Sequence, residues 1–264
     1  MTTSGEGRGE QPFELAPGTN VEVVRWMSPA GEGECTVTWL PTDRLDMQVV
    51  STEVTAVERQ RAAGYSRQND RLLSLGSAWL MRRLVALSLG VAPREAPVVR
   101  CWDPSAGPCG RPVVRATTRD GATVHVSATH SGGLVGIALS TLGAVDLDVE
   151  DLQARDLTDW PNVWRVLGRP IVPGSPVTGP EAAREAATAW VRNEAVLKAT
   201  GEGLAVSPRL VDISSREEPA VIRWPWRDPT GRVSIFDLNP GRRYVAALAA
   251  IHDGFIDFVG LPSR

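Results

Sequence analysis

Thr141-Leu142-Gly143-Ala144-Val145-Asp146-Leu147-Asp148-Val149-Glu150 is the stretch on which the reading of the fold turns. Its first three residues have turn chemistry, and the last six alternate apolar with acidic. Neighbouring side chains on a strand point to opposite faces, so Val145, Leu147 and Val149 share one face and the three acids share the other. Helical material follows to about Thr200, and segments near 209–213, 219–224, 232–238 and 243–251 read as further strands.

Upstream, a similar order runs a first time. Residues 1–34 are rich in Gly, Glu, Pro and Ser without sustained periodicity and read as a disordered tail. Cys35-Thr-Val-Thr-Trp-Leu40 alternates as a first strand. From about Thr52 to Leu89 the pattern is helical, with Leu72, Leu73, Leu75, Trp79, Leu80 and Leu84 at three-to-four spacing and Gly90 as the stop. Short strand-like runs follow at Val98–Trp102, Pro112–Val114, Val124–Val126 and Leu134–Leu139. The expectation is an α+β fold in two halves of similar plan, 35–142 and 143–264.

Composition narrows the function classes. The 264 residues are 42% hydrophobic and 22% charged, ordinary for a globular protein. No run of about 18 apolar residues calls for a membrane span, and the acidic, Gly-rich start does not read as a signal peptide. Cys35, Cys101 and Cys109 have unrelated spacings, so neither a disulfide framework nor a zinc site is expected, and a reduced cytoplasmic setting is the default. The net charge of −3 gives no global reason to bind nucleic acid. Every basic residue but one is arginine, and the exception is Lys198. A compact ammonium and a planar guanidinium are not interchangeable, so this position draws the eye.

Three segments carry chemistry. Acids at i and i+2 of the 146–150 strand lie about 6.6 Å apart and repel unless something positive intervenes. They form either a solvated outer face or a site for a hard cation, and carboxylates with phosphate oxygens suit Mg²⁺. Trp190, Glu194 and Lys198 stand at four-residue spacing on a helix that runs into Gly201-Glu-Gly203. They read either as a surface Glu–Lys pair or as a carboxylate and an ammonium for a Mg²⁺–pyrophosphate site. Thr129-His130-Ser131-Gly132-Gly133 reads as a turn, either a plain hairpin or a small anion site of hydroxyl, imidazole and backbone N–H groups.

Taken in order, these segments resemble the phosphopantetheinyl transferase superfamily, specifically its larger, two-lobed class. The family's Gly-Lys-Pro, Ser-His-Ser, Gly-Ile-Asp-x-Glu and Trp-x-x-Lys-Glu-x-x-x-Lys elements read here as Gly110-Arg111-Pro112, Thr129-His130-Ser131, Asp146-Leu147-Asp148-Val149-Glu150 and Trp190 to Lys198. The resemblance spans roughly residues 55–250. It implies two pseudo-symmetric α+β lobes with a cofactor cleft between them.

It also implies a reaction: transfer of the 4′-phosphopantetheine arm of coenzyme A to a serine of an acyl, peptidyl or aryl carrier protein, releasing 3′,5′-ADP. Asp148, Glu150 and Glu194 would hold Mg²⁺. Glu194 would take the serine proton, and Lys198 would steady and protonate the departing phosphate. His130 and Thr129 would meet the 3′-phosphate and ribose, Arg111 and Pro112 the adenine side, and Arg61 and Ser74 the 3′-phosphate again. The partner would be an apo carrier protein and the enzyme a monomer. Asp146 and Asn193 depart from the family pattern, and both are expected to lower positive charge near the metal. Arg82, Arg83, Arg165 and Arg169, with Trp160 and Trp164, form either a docking surface for an acidic carrier or scattered surface arginine and core tryptophan. A coenzyme A-binding regulatory or interaction protein of the same fold, without turnover, and an unrelated Mg²⁺ phosphodiesterase are the alternative readings.

Overall fold

In the computed structural model the described residues are 15, 19–28, 31–103, 107–154, 160–168, 179–201, 206–211, 213, 220–223 and 232–252. In chain order they form β1 (Asn20–Ser28), β2 (Gly31–Pro41), α1 (Met47–Glu53), α2 (Ala56–Ala63), α3 (Gln68–Leu89), β3 (Val98–Asp103), β4 (Gly107–Val114), β5 (His125–Ser131), β6 (Leu134–Ser140), β7 (Val145–Asp151), α4 (Trp160–Val166), α5 (Pro180–Ala199), β8 (Ala220–Arg223), β9 (Arg232–Leu238) and β10 (Tyr244–His252). The class is α+β, as expected.

The alternating segments pair into two four-stranded antiparallel sheets, β1-β2-β6-β5 and β7-β10-β9-β8, plus a β3-β4 ribbon. The two sheets share a three-strand order: β2 or β7 pairs with β6 or β10, which pairs in turn with the strand before it, β5 or β9, while β1 extends the first sheet beyond β2 and β8 the second beyond β9. A long helix, α3 or α5, intervenes in sequence each time.

The apolar halves of the alternation dictate a layered core. Leu73, Leu80 and Leu84 of α3 pack on Leu40, Val135, Ile137 and Leu139 of the first sheet. Ala186, Val191 and Ala195 of α5 pack on Ile235, Val245, Ala247 and Ala249 of the second. The remaining faces meet each other, Val37, Trp39 and Leu134 against Val145, Leu147, Val149 and Leu248. Each fully buried Leu, Ile or Val contributes roughly 1.5–3 kcal/mol from apolar area removed from water. Gly136 pairs with Trp39 across β2–β6, and the Trp39 ring occupies the space that a Cβ there would need. That close approach requires glycine.

Four expectations are corrected. The 1–34 tail contains β1 and the start of β2, an antiparallel hairpin in register from Asn20↔Trp39 to Ser28↔Gly31; residues 1–14 lie outside the described residues. The helical stretch 52–89 is three helices, because Thr55 and Glu58 form a reciprocal capping box that starts α2 afresh. The strand expected from Cys35 begins at Gly31 and is the second in the chain. Arg82 is a core residue, 4% exposed, with two bonds to Glu58 and others to the carbonyls of Pro93, Arg94 and Ala96. α3 is long and apolar enough to cross a membrane, but 56% of its most apolar window is buried inside the fold, the pattern of a core helix.

Candidate active site

The free edges of the two sheets, β5 and β7, run alongside each other, and side chains stitch them. Ser127 Oγ donates to Asp146, Thr129 Oγ1 to Asp148 Oδ1 at 3.3 Å, and Ser131 Oγ to Glu150 Oε2 at 3.2 Å. Two of these hydroxyls also accept from β7 backbone, Ser127 from Leu147 N at 3.1 Å and Ser131 from Asp151 N at 3.0 Å. A hydroxyl can donate once and accept twice, so one side chain here satisfies both an edge amide and a carboxylate. The constant offset of nineteen residues shows that the period-2 alternations of β5 and β7 are in phase.

The acids do share one face, as the alternation predicts, but that face is not solvated. Asp146 and Asp148 are each 6% exposed and lie on the side of the sheet covered by α5. From that helix Lys198 Nζ donates to Asp148 Oδ1. From β4, Arg111 reaches across both halves: Nη2 lies 3.5 Å from Asp146 Oδ2, and Nη1 donates to the Lys198 carbonyl at 2.7 Å. Two buried carboxylates, Asp146 and Asp148, are thus each met by one cation.

The electrostatics follow from burial and from that pairing. Burial pushes the Asp146 and Asp148 carboxyls above the ordinary range, opposed by Arg111 and Ser127 at the first and by Lys198 at the second. Burial likewise raises Glu194; Lys198 opposes this, while Asp148, Glu150 and Asp146 push it further up. Burial works to lower Lys198, but Asp148, Asp146 and Glu194 hold it above its ordinary value. Glu194, Lys198 and the β7 acids therefore share one electrostatic environment.

The other expected residues are distributed around this centre. Thr129 is buried and its hydroxyl is committed to Asp148, so it does not face an open anion site as expected. His130 stands at the surface, yet enough protein surrounds its ring for burial to lower its pKa; Lys198 lowers it too, and Asp70 and Asp148 act the other way. Pro112 is buried beside Arg111, paired with Arg100 of β3. Arg61 is exposed on α2, close enough to Arg100 to add to the lowering that burial imposes there. Ser74 is half-buried on α3. Trp190, on the same helical stripe as Glu194, packs on the core under α5.

Asn193 corrects an expectation. It is 1% exposed and donates through Nδ2 to Pro208 O at 2.8 Å, so it braces α5 against the following segment and takes no part in the metal-side charge. Asp146 does sit among the acids, with Arg111 as counter-ion. Arg83 pairs with Glu53 and stacks on Trp79, and Trp164 packs on the core, so these two are engaged within the fold. Arg165 is exposed, while Arg169 and the Trp160 side chain lie outside the described residues.

Ser127 and Arg111's bridge to α5 are the members that sequence reasoning missed. The Ser127–Thr129–Ser131 alternation is visible in sequence, but its partner strand is not. Among the described residues no three His, Cys, Asp or Glu side chains converge into a ready metal cluster. The oxygen-only donor set and its buried negative charge nevertheless fit a hard divalent cation. The chain matches no known family model, and no curated protein is significantly similar to it.

Proposed function

We propose that the chain is a two-lobed phosphopantetheinyl transferase, moving the 4′-phosphopantetheine arm of coenzyme A onto a carrier-protein serine. The observation that carries the reading is the meeting of β7's buried acids with Lys198 of α5 and Arg111 of β4 at the seam between the two sheets, with Glu194 in the same electrostatic environment. Asp148, Glu150 and Glu194 are the residues that would hold Mg²⁺, which neutralises pyrophosphate charge when bound. A cytoplasmic monomer acting on apo carriers of polyketide, peptide or fatty-acid synthesis goes with it.

Glu194 takes the serine proton, and burial raises its carboxyl pKa above the ordinary value. The serine oxygen bonds to the β-phosphorus as the bond from that phosphorus to the bridging oxygen breaks. 3′,5′-ADP leaves, and Lys198, held protonated by its acidic neighbours, supplies its proton. Positioning and charge neutralisation do most of the work. In this reading His130 and Arg111 would receive the anionic, adenosine end of the co-substrate.

The test is incubation with coenzyme A, Mg²⁺ and apo carriers of several kinds, followed by weighing of the carriers. A gain of one phosphopantetheine arm supports transfer. The seating of Lys198 on Asp148 favours one second reading, a coenzyme A-binding module whose acid face is already neutralised. Binding of coenzyme A with no gain on any carrier selects it.

A further inference from the structure

The Gly132-Gly133 turn that follows His130 at the end of β5 is gripped from several directions. Asn69 Nδ2, in the first turn of α3, donates to Gly132 O at 2.8 Å. Thr42, just past β2, donates to Gly133 O through its amide at 2.8 Å and its hydroxyl at 3.2 Å. Ser131 joins the turn to β7 through Asp151 N and Glu150. Asp151 itself is fully buried, and its carboxylate lies where Gly132 has only hydrogen; a Cβ there would overlap Oδ2. Gly132 also adopts φ +61°, so backbone and neighbour both require glycine.

Asp151 is held in turn by Arg243, which precedes β10. Nε donates to Oδ1 at 2.8 Å and Nη2 to Oδ2 at 2.6 Å, the two-pronged geometry that a planar guanidinium favours. The guanidinium also lies over the Tyr244 ring at 5.5 Å. Neither residue touches Asp148, Glu194 or Lys198 in the described contacts.

We propose that Asp151 and Arg243 are positioning residues: their ion pair fixes the His130 turn against the end of β7, and so sets affinity for the 3′-phosphate end of coenzyme A without entering the transfer step. The inference rests on the transferase reading. A short hairpin turn has little packing of its own, and a shift of an ångström in the imidazole is enough to weaken a hydrogen bond to a phosphate.

The experiment compares wild type, Arg243→Lys, Arg243→Ala, Asp151→Asn and the double variant. It measures transfer kinetics with coenzyme A varied, and calorimetric affinity for coenzyme A and for dephospho-coenzyme A, which lacks the 3′-phosphate. In Arg243→Ala and Asp151→Asn, KM for coenzyme A rises about 10-fold, kcat stays within about 2-fold, and the preference for coenzyme A over the dephospho form is lost. Arg243→Lys keeps the fold and charge and falls between. The double variant is no worse than either single one, because the two act as a unit. Equal weakening toward both ligands, unchanged KM, or a fall in kcat alone would overturn the proposal. A wild type that binds coenzyme A but modifies no carrier overturns the transferase reading and leaves the two affinities to decide this one. A wild type that binds neither ligand overturns both.

Discussion

β2 and β7 both pair with the last strand of their half, β2 inside its sheet and β7 at the edge, yet their helix-facing sides could hardly differ more. Paired with Leu139, Ile137 and Val135 under α3 stand Thr36, Thr38 and Leu40. Paired with Ala249, Ala247 and Val245 under α5 stand Asp146, Asp148 and Glu150. Thr38 settles its hydroxyl on the paired strand of its own sheet, on Ile137 O at 3.3 Å. Asp148 needs Thr129 from another sheet and Lys198 from the covering helix. One half is a scaffold completed by its own backbone. The other stores buried negative charge that only distant residues, or a bound cation, can neutralise.

The contrast gives the largest expected effect first. Asp148→Ala lowers Mg²⁺-dependent transfer by about 100-fold or more with the fold retained, whereas Thr38→Val leaves transfer unchanged. Comparable losses in both variants would mean that charge on β7 has no special role. Activity that keeps its wild-type Mg²⁺ dependence in Asp148→Ala would remove the ligand assignment.

Lys198→Arg comes next. It keeps the charge but is a poorer proton donor with a different shape, so turnover falls by about 10–100-fold while coenzyme A binding changes far less. Single-turnover kinetics beside calorimetry separates the two. Unchanged turnover would take Lys198 out of the acid role.

The stored charge also has a pH signature. An acid whose folded pKa is raised contributes stability that is full below its unfolded value, 3.8 for Asp146, and that is lost as pH rises through the folded pKa. Asp146→Asn has no such loss. Thermal unfolding of metal-free protein from pH 4 to 7 should therefore show the variant gaining on wild type as pH rises. A difference that stays flat or reverses would show that Arg111 fully compensates the acid. The smallest effect belongs to the scaffold: Asn193→Ala costs about 1 kcal/mol through the lost bond to Pro208, with kcat/KM intact.

Much of this plan is legible in the chain itself. Period-2 alternation places the three β7 acids on one face, and the break at residues 141–143 falls between the two sheets. What escapes is whatever depends on a partner far away in sequence. Nothing local says that the acid face is buried, because burial comes from α5 and β5. Arg82 looks like any surface arginine until Glu58 and three carbonyls close around it. Asn193 adjoins Glu194, but successive helix residues point about 100° apart, so the neighbour of a site residue faces the core. The alternating Asn20–Arg25 run is hidden by Gly- and Pro-rich flanks, which composition reads as tail.

The central claim is that the β7–α5 seam transfers a phosphopantetheine arm, and intact mass spectrometry tests it most directly. Apo carrier proteins are incubated with coenzyme A, Mg²⁺ and either wild type, Asp148→Ala or Thr38→Val. The account predicts one added arm per carrier with wild type and Thr38→Val, and none with Asp148→Ala over the same interval. Carriers left unmodified by wild type, or modified equally by all three proteins, would contradict it.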